Sequence, residues 1–335
     1  MVDVARHAGV STQTVSRVVN RLQNVDPGTR DRVLESMAAL GYRQNRAARA
    51  LRLGRYRTIG IVLFDVGTSG NLRTLQAVAN VTAQAGYSVT FVTIEHPDQA
   101  HVNAAFERMR AQEVDGVLIV IDQQVLDDTG MRLPSELPVV VLDSSERTDY
   151  PVVDTDQAQG ASQATQHLLD LGHPTVWHVA GPSRSYSAVH RESAWREALV
   201  RAGAPIPEVL RGDWTAASGD AAGRQLAGRG DVTAVFAAND EMAIGIIHAF
   251  RQAGLGVPAD VSVVGFDDIP GSDFLIPPLT TIRQDFDAVG REAIALLIDQ
   301  IEGRQTNNDT HFVPTELVVR ASTAPVRDRP FGGPR

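Results

Sequence analysis

Residues 2–20 read Val2-Asp-Val-Ala-Arg-His-Ala-Gly-Val-Ser-Thr-Gln-Thr-Val-Ser-Arg-Val-Val-Asn20. Asp3 to Ala8 is a short amphipathic run that Gly9 ends. Ser11 is a natural N-cap for a second helix over about Thr12 to Asn20, because its hydroxyl can accept a free backbone N–H. Val15, Val18 and Val19 give that helix an apolar face at helical spacing. Asp26-Pro27 is a further start signal, a cap followed by proline at the first helical position. Val33, Met37 and Leu40 form the apolar face of this third helix, and Gly41 ends it. Three short helices joined by tight turns predict a helix-turn-helix unit over residues 1–42. In such units the second helix enters the major groove of DNA, N-terminal residues first. Gln13 can hydrogen-bond adenine twice, Arg17 can do the same to guanine, and the Thr12 methyl fits thymine. Thr14 shares this helix, and Ser16 and Asn20 suit phosphates. The pattern leaves open a plain three-helix bundle with a solvated polar face.

Charge separates this head from the rest of the chain. Residues 1–57 hold eleven Arg against four acids, a net +7, whereas the whole chain of 335 residues is −9, so residues 58–335 carry −16. A basic head on an acidic body points to a polyanion met by the head alone. No Cys is present, which excludes disulfides and thiolate metal sites. No apolar run approaches the roughly eighteen residues that span a bilayer. Asp3, Arg6 and His7 stand where the apolar core of a signal peptide would be. These features predict a cytoplasmic, nucleoid-associated protein with no membrane partner.

Residues 43–57 follow the head and contain six Arg in fifteen positions. Their helical portion, about Asn45 to Leu53, is too short to be stable alone in water. The residues themselves allow either a conditional helix or a basic linker. Beyond residue 58 the pattern changes to Val- and Ile-rich runs at Ile59–Phe64, Val89–Ile94, Val117–Ile121, Val139–Leu142, Val176–Val179, Val232–Ala237 and Val261–Phe266. Such near-continuous runs are strands of buried parallel sheets. Helix-length segments between them, such as Leu72–Ala85, Ala158–Leu171 and Glu241–Ala253, predict doubly wound α/β architecture. The number of strands suggests two sheets, and residues 327–335 are expected to be a disordered tail.

No Gly-rich phosphate loop, no GxSxG elbow and no His-rich metal spacing occurs, so neither enzyme, metal site nor cofactor is expected. His167 and His173 read as structural. Several strand ends carry short polar side chains: Phe64-Asp65, Asp143, Asn239-Asp240 and Asp267-Asp268. Ligands of open α/β sheets bind beyond the carboxyl ends of the strands. Short carboxylates and amides can hold vicinal hydroxyls there, and Trp214 and Phe64 can stack on a sugar ring. The competing reading is that each Asp or Asn simply caps the helix after its strand.

The head segment quoted above, with Thr29-Arg30, Leu40-Gly41-Tyr42 and Asn45-Arg46-Ala47-Ala48, resembles the lactose-repressor (LacI/GalR) family. The resemblance extends through Ala180-Gly-Pro-Ser183, Gly212-Asp-Trp214, Ala238-Asn-Asp-Glu-Met-Ala-Ile-Gly245, Asp260–Asp268 and Ile276–Phe286. Heads of this family usually carry a Thr before the Asp-Val-Ala segment, so the natural start is expected upstream. The resemblance implies an all-α helix-turn-helix head and an α/β periplasmic-binding-protein-like core of two doubly wound parallel-sheet lobes. It implies a hinge helix and linker at 43–57, one lobe from 58–155 plus 286–312, and another from 156–285 plus 313–326.

By the same resemblance, Asn45, Ala48 and Leu51 join Thr12, Gln13, Thr14, Ser16, Arg17 and Asn20 in contacting DNA, with Leu51 as a minor-groove wedge. Asp143, Ser187, Arg191, Trp214, Asn239, Asp267 and Gln284 fall on effector contacts, with Phe64 and Asp65 near the first-lobe wall. The implied protein is a homodimeric repressor of a carbohydrate operon that binds near-palindromic double-stranded operator DNA. A sugar, best a β-galactoside or related β-glycoside, would release it. Whether ligand releases or strengthens DNA binding stays open. A solute-binding transport component shares the body fold but would not carry this basic head.

Overall fold

The computed structural model describes residues 1–19, 22, 24–42, 54–63, 69–94, 98–120, 136–142, 150–304 and 306–326. Asn20, Asn45, Ala48, Leu51, Phe64, Asp65, Asp143, most of the expected hinge and the tail 327–335 lie outside the described residues. The chain divides into two compact units, Met1–Tyr56 and Arg57–Arg335.

The first unit holds α1 (Val2–Ala8), α2 (Thr12–Val19) and α3 (Pro27–Ala39). Gly9 ends α1 in the left-handed region at φ 65°, which a residue with a Cβ adopts at a cost. The Ser11 hydroxyl accepts the Thr14 backbone N–H at 3.1 Å, and the Asp26 carboxylate accepts that of Thr29 at 3.0 Å. Both predicted caps are therefore made. Val4, Ala5, Ala8, Val15, Val18 and Val33 form one small core. Leu40 departs from expectation and is 46% exposed. It is the C-cap of α3, past the last helical turn, and Gly41 then turns the chain with φ 57°. Half-buried Tyr42 packs on the core. Ser36 is buried in the α3 face, its hydroxyl donating to the Arg32 carbonyl at 2.7 Å and meeting His7 Nδ1 at 2.9 Å.

The second unit contains two six-stranded sheets. One is ordered β11-β5-β4-β3-β1-β2, from β1 (Thr58–Leu63), β2 (Ser88–Thr93), β3 (Gly116–Val120), β4 (Val139–Leu142), β5 (Val152–Thr155) and β11 (Thr310–Val313). Its paired strands are all parallel, with Ile61 opposite both Phe91 and Leu118. The other is ordered β12-β10-β9-β8-β6-β7, from β6 (Trp177–Ala180), β7 (Leu210–Arg211), β8 (Ala234–Ala237), β9 (Ser262–Asp267), β10 (Thr280–Arg283) and β12 (Glu316–Val318). Only the β10–β12 pair of this sheet is antiparallel. Parallel strands covered on both faces are apolar along their length, as β3, β4 and β8 are, each buried at every position.

Helices α4 (Ser69–Gln84) and α5 (Gln99–Ala111) belong with the first sheet, while α6 (Gln157–Asp170), α7 (Tyr186–Ala202), α8 (Ala216–Ala227) and α9 (Asp240–Gln252) belong with the second. After β10 the chain returns, and α10 (Phe286–Ile301) packs Val289, Ala293, Ile294 and Leu297 on the first sheet. The chain thus passes between sheets three times, after β5, after β10 and after β11. Strands β5, β10, β11 and β12 serve these passages. None of them is a long apolar run: Val152-Val-Asp-Thr155 and Thr280-Thr-Ile-Arg283 carry polar residues even though Asp154, Thr155, Thr280 and Thr281 are buried.

His167 and His173 are hydrogen-bonded structural residues. His167 Nε2 meets Thr323 Oγ1 at 3.0 Å, and His173 reaches Thr233 Oγ1 at 3.0 Å and Ser262 Oγ at 3.1 Å. No helix among the described residues is long and apolar enough to cross a membrane.

Helices α8 and α9 touch backbone to backbone. A Cβ on Gly245 would overlap the Ala216 carbonyl oxygen, and one on Gly219 would overlap the Met242 carbonyl oxygen. Since neither neighbour is a movable side chain, Gly245→Ala must separate the two helices. We expect it to cost about 3 kcal/mol, the upper end for overpacking a tight core. The denaturation midpoint in urea should fall with no change in slope.

Candidate functional site

In the head, Thr12, Gln13 and Arg17 are exposed on α2, while Thr14 and Ser16 are half-buried. The apolar residues Val15 and Val18 face the core, so the helix presents its polar side outward. Thr14 Oγ1 lies 2.9 Å from Ser11 Oγ, which adds a hydroxyl pair to the cap. Met1 is the N-cap position of α1 and makes no side-chain capping bond.

The second unit contains a cleft that opens to solvent. The structure brings six of the sequence-predicted residues together there: Ser187, Arg191, Trp214, Asn239, Asp267 and Gln284. The first sheet's side supplies Asn71 and Thr74 from α4, with Val120 and Leu142 at strand ends and Val153 within β5. Two of the passages between sheets add Asp154, Thr155 and Gln157, then Gln284 and Phe286. The cleft therefore lies at the carboxyl ends of the strands of both sheets, where the open ends of α/β sheets receive ligands.

Arg191, on α7, is the charged centre of this wall and is buried. Its Nε donates to Gln157 Oε1 at 2.8 Å, Nη1 donates to the Ala238 carbonyl, and Nη2 lies 3.7 Å from Asp267 Oδ1. The guanidinium stacks 3.7 Å from the Phe266 ring centroid and 5.6 Å from that of Trp214. Gln284 Nε2 donates to Asp267 Oδ1 at 2.5 Å. Burial pushes the Asp267 carboxyl up to about 6, against the pull of Arg191 and Gln284, with Glu241 adding to the rise. Behind it, Asp240 is pushed up to about 7, first by burial and then by the Asp267 charge. Asp240 accepts from Thr281 Oγ1 at 2.5 Å, Ser272 Oγ at 2.8 Å and the Ile269 N–H at 2.9 Å.

Trp214 sits at φ 74°, a left-handed conformation that L residues rarely adopt. Two features hold it there. Its carbonyl accepts from Asn239 Nδ2 at 2.9 Å, and its ring lies against Gly181, where any Cβ would overlap it. Asn239 also caps α9, its Oδ1 accepting the Met242 N–H at 2.9 Å. The capping and cavity readings of this strand-end residue thus coexist: one side chain starts the helix, orients the indole and lines the cleft. Ser187 Oγ is 3.0 Å from the hydroxyl of Ser185, the N-cap of α7.

Asp154 is a cleft residue that the sequence pattern does not single out. It is buried in the cleft wall, and Gln157 Nε2 donates to its Oδ1 at 3.3 Å. The strand-end rule that flagged Asp267 applies equally to it, but Val152-Val153 is too short an apolar run to announce a strand. Phe286, which in the sequence only ends the Ile276–Phe286 segment, also lines the cleft, with the guanidinium of Arg73 4.8 Å from its ring centroid. Among the described residues no cluster of His, Cys, Asp or Glu is arranged to hold a metal ion.

Residues 1–45 match the family described as bacterial regulatory proteins, lacI family, and residues 165–323 match the periplasmic binding protein-like domain. The lactose operon repressor of Escherichia coli (strain K12) is 36% identical over 324 residues, covering 96% of this chain and 89% of that protein. The transcriptional regulator CelR of Thermobifida fusca is 36% identical over 342 residues, covering 95% and 96%. A lac repressor dimer bound to operator and the anti-inducer ONPF superposes with a TM-score of 0.82 at 35% identity, covering 96% of this chain and 98% of that one. A CelR–cellobiose complex superposes with a TM-score of 0.69 at 33% identity, with the same coverage.

Burial raises the Asp154 carboxyl well above the usual carboxylate range. The folded protein therefore holds this proton to higher pH than the unfolded chain, so stability falls as pH climbs from the ordinary carboxylate value through the raised one. Asp154→Asn should accordingly raise the melting temperature of the sugar-free protein at about pH 8, on the order of 2 kcal/mol in stability, and change it little near pH 5. Calorimetric melts at the two pH values read this directly.

Proposed function

The chain belongs to the lacI family of bacterial regulatory proteins and is a DNA-binding transcriptional regulator; from that premise we propose that it is a sequence-specific repressor of a carbohydrate-utilisation operon, released from its operator by a sugar. The observation that carries this reading is the cleft itself. A tryptophan face, a buried Arg–Asp pair, an amide and a serine hydroxyl converge on one space at the strand ends. An indole face matches the apolar face of a pyranose, and the paired charge with its amides matches vicinal hydroxyls better than it matches a phosphate. The favoured effector is a β-galactoside or related β-glycoside. The lac repressor and CelR likenesses, the latter in complex with cellobiose, support a saccharide.

On the DNA side, Thr12, Gln13 and Arg17 are the base-reading side chains and Thr14 and Ser16 accompany them. Leu51, Asn45 and Ala48 extend the contact in the minor groove. The protein acts as a homodimer, as the lac repressor dimer bound to operator is named to do, and two-fold symmetry of such a dimer calls for a near-palindromic site. Sugar in the cleft shifts the balance between lobe arrangements only by its differential affinity for them. By reciprocity, operator DNA weakens sugar binding by the factor by which sugar weakens operator binding.

The test is fluorescence anisotropy of the full chain on a duplex selected by the protein from a random pool, titrated against mono- and disaccharides. Release by a β-glycoside at concentrations where glucose-6-phosphate and hypoxanthine do nothing supports the reading; release by neither sugar class overturns it. Arg17→Ala should weaken the selected duplex by about 1–3 kcal/mol while leaving a scrambled duplex nearly unchanged. Asp267→Ala should bind the duplex like the parent yet lose its response to sugar, and calorimetry showing full sugar affinity in that variant would remove Asp267 from the site.

A further inference from the structure

Among the described residues, the side chain of Arg73 reaches from one lobe to the backbone of the other. Arg73 lies on α4, the helix packed beside the first sheet, yet its Nη1 donates to the backbone carbonyls of Asp267 at 3.0 Å and Asp268 at 3.1 Å. Asp267 ends β9 in the second sheet, and Asp268 follows it. The guanidinium carbon lies 4.8 Å from the ring centroid of Phe286, where the chain has just crossed back between lobes.

The receiving carbonyls are unusual. Asp267 has φ 111° and Asp268 φ 50°, two consecutive non-glycine residues in the left-handed region. Such conformations cost energy and persist only where their surroundings over-determine them. Within their own lobe the carboxylates are well held: Gln284 donates to Asp267, and Arg283 Nε and Arg320 Nη2 donate to Asp268 at 2.8 Å and 2.6 Å. Those bonds fix side chains. Arg73 instead holds the peptide carbonyls, and so fixes the direction in which the Asp267 side chain leaves the backbone. Its positive charge also favours the ionised form of Asp267.

We propose that Arg73 is a positioning residue for the effector site: by clasping the Asp267 and Asp268 carbonyls from the opposite lobe, it sets the Asp267 carboxylate against the cleft and makes sugar affinity depend on how the lobes are arranged. This rests on the reading of the cleft as a sugar site. Arg73 makes no claim on sugar itself. An arginine suits the task because its planar head can lie on Phe286 while its N–H groups reach outward, which a compact lysine ammonium does less well.

The test uses the full chain and two variants, Arg73→Met, which keeps an apolar stem and removes the donors, and Arg73→Lys, which keeps the charge. Amide hydrogen exchange is first followed without any sugar. Arg73→Met should speed exchange in residues 262–270 by about tenfold, the loss of a charge-assisted bond, with residues 186–202 unchanged and the melting temperature within about two degrees of the parent. Lactose and cellobiose are then titrated calorimetrically. Whichever binds the parent should bind Arg73→Met about tenfold more weakly and Arg73→Lys in between. Parent-like exchange in residues 262–270 of Arg73→Met overturns the clasp, as does parent-like affinity for a sugar that the parent binds. If neither sugar binds the parent, the sugar reading fails, and the exchange experiment alone decides the clasp.

Discussion

A guanidinium taken out of water must be paid for by partners, and the architecture of the cleft is organised around doing so for Arg191. Its partners come from four separate places in the chain: Gln157 from the first passage between sheets, the Ala238 carbonyl beyond β8, Asp267 at the end of β9, and the rings of Phe266 and Trp214. Removing one partner of a buried charge is far more costly than the net value of the pair, because the remaining charge stays buried. The arrangement therefore locks the strand ends of the second sheet to the residue by which the chain leaves the first. A buried pair of this type adds little to overall stability. What it provides is a fixed direction for each polar group around a cavity, which is the requirement for recognising a ligand by its hydroxyls.

The acids show the same constraint from the other side. Asp240, Asp154 and Asp267 are all buried and all have carboxyl groups raised by that burial. Asp240 is nevertheless met by three donors and by a glycine, Gly265, where any Cβ would collide with its oxygen. Asp154 has far less support. The difference separates a carboxylate that braces the β9–α9 corner from one that leaves capacity for something in the cleft. Strained backbone gathers at the same place, at Trp214, Asp267 and Asp268, as it does where surrounding structure holds a site in a geometry the chain would not choose alone.

The legible and illegible parts of the protein follow from the range of the forces involved. Caps, glycine stops and helical periodicity act over four or five residues, so α1, α2 and α3 could be read nearly to the residue, Ser11 and Asp26 included. Leu40 fits the apolar spacing yet is exposed, because spacing continues past a cap while the helix does not. In the body, long apolar runs announced β1 to β4, β6, β8 and β9. The strands that carry the chain between lobes did not announce themselves, because they are short and turn polar where they enter the cleft. Asp154 was lost with them.

The sequence by itself determined that a basic three-helix head precedes an acidic, doubly wound α/β body, and that polar residues stand at the strand ends. Those properties are written in local pattern and composition, and each residue carries its share independently of distant ones. Only the tertiary structure decided that Ser187, Arg191, Trp214, Asn239, Asp267 and Gln284 share one space with Asp154, that Asn239 is at once a cap and a wall, and that Arg73 reaches from one lobe to the backbone of the other. These facts join residues separated by as many as 195 positions. No local rule links such residues, because their proximity is set by how two sheets and three chain passages pack, and only then by the partners each buried charge demands.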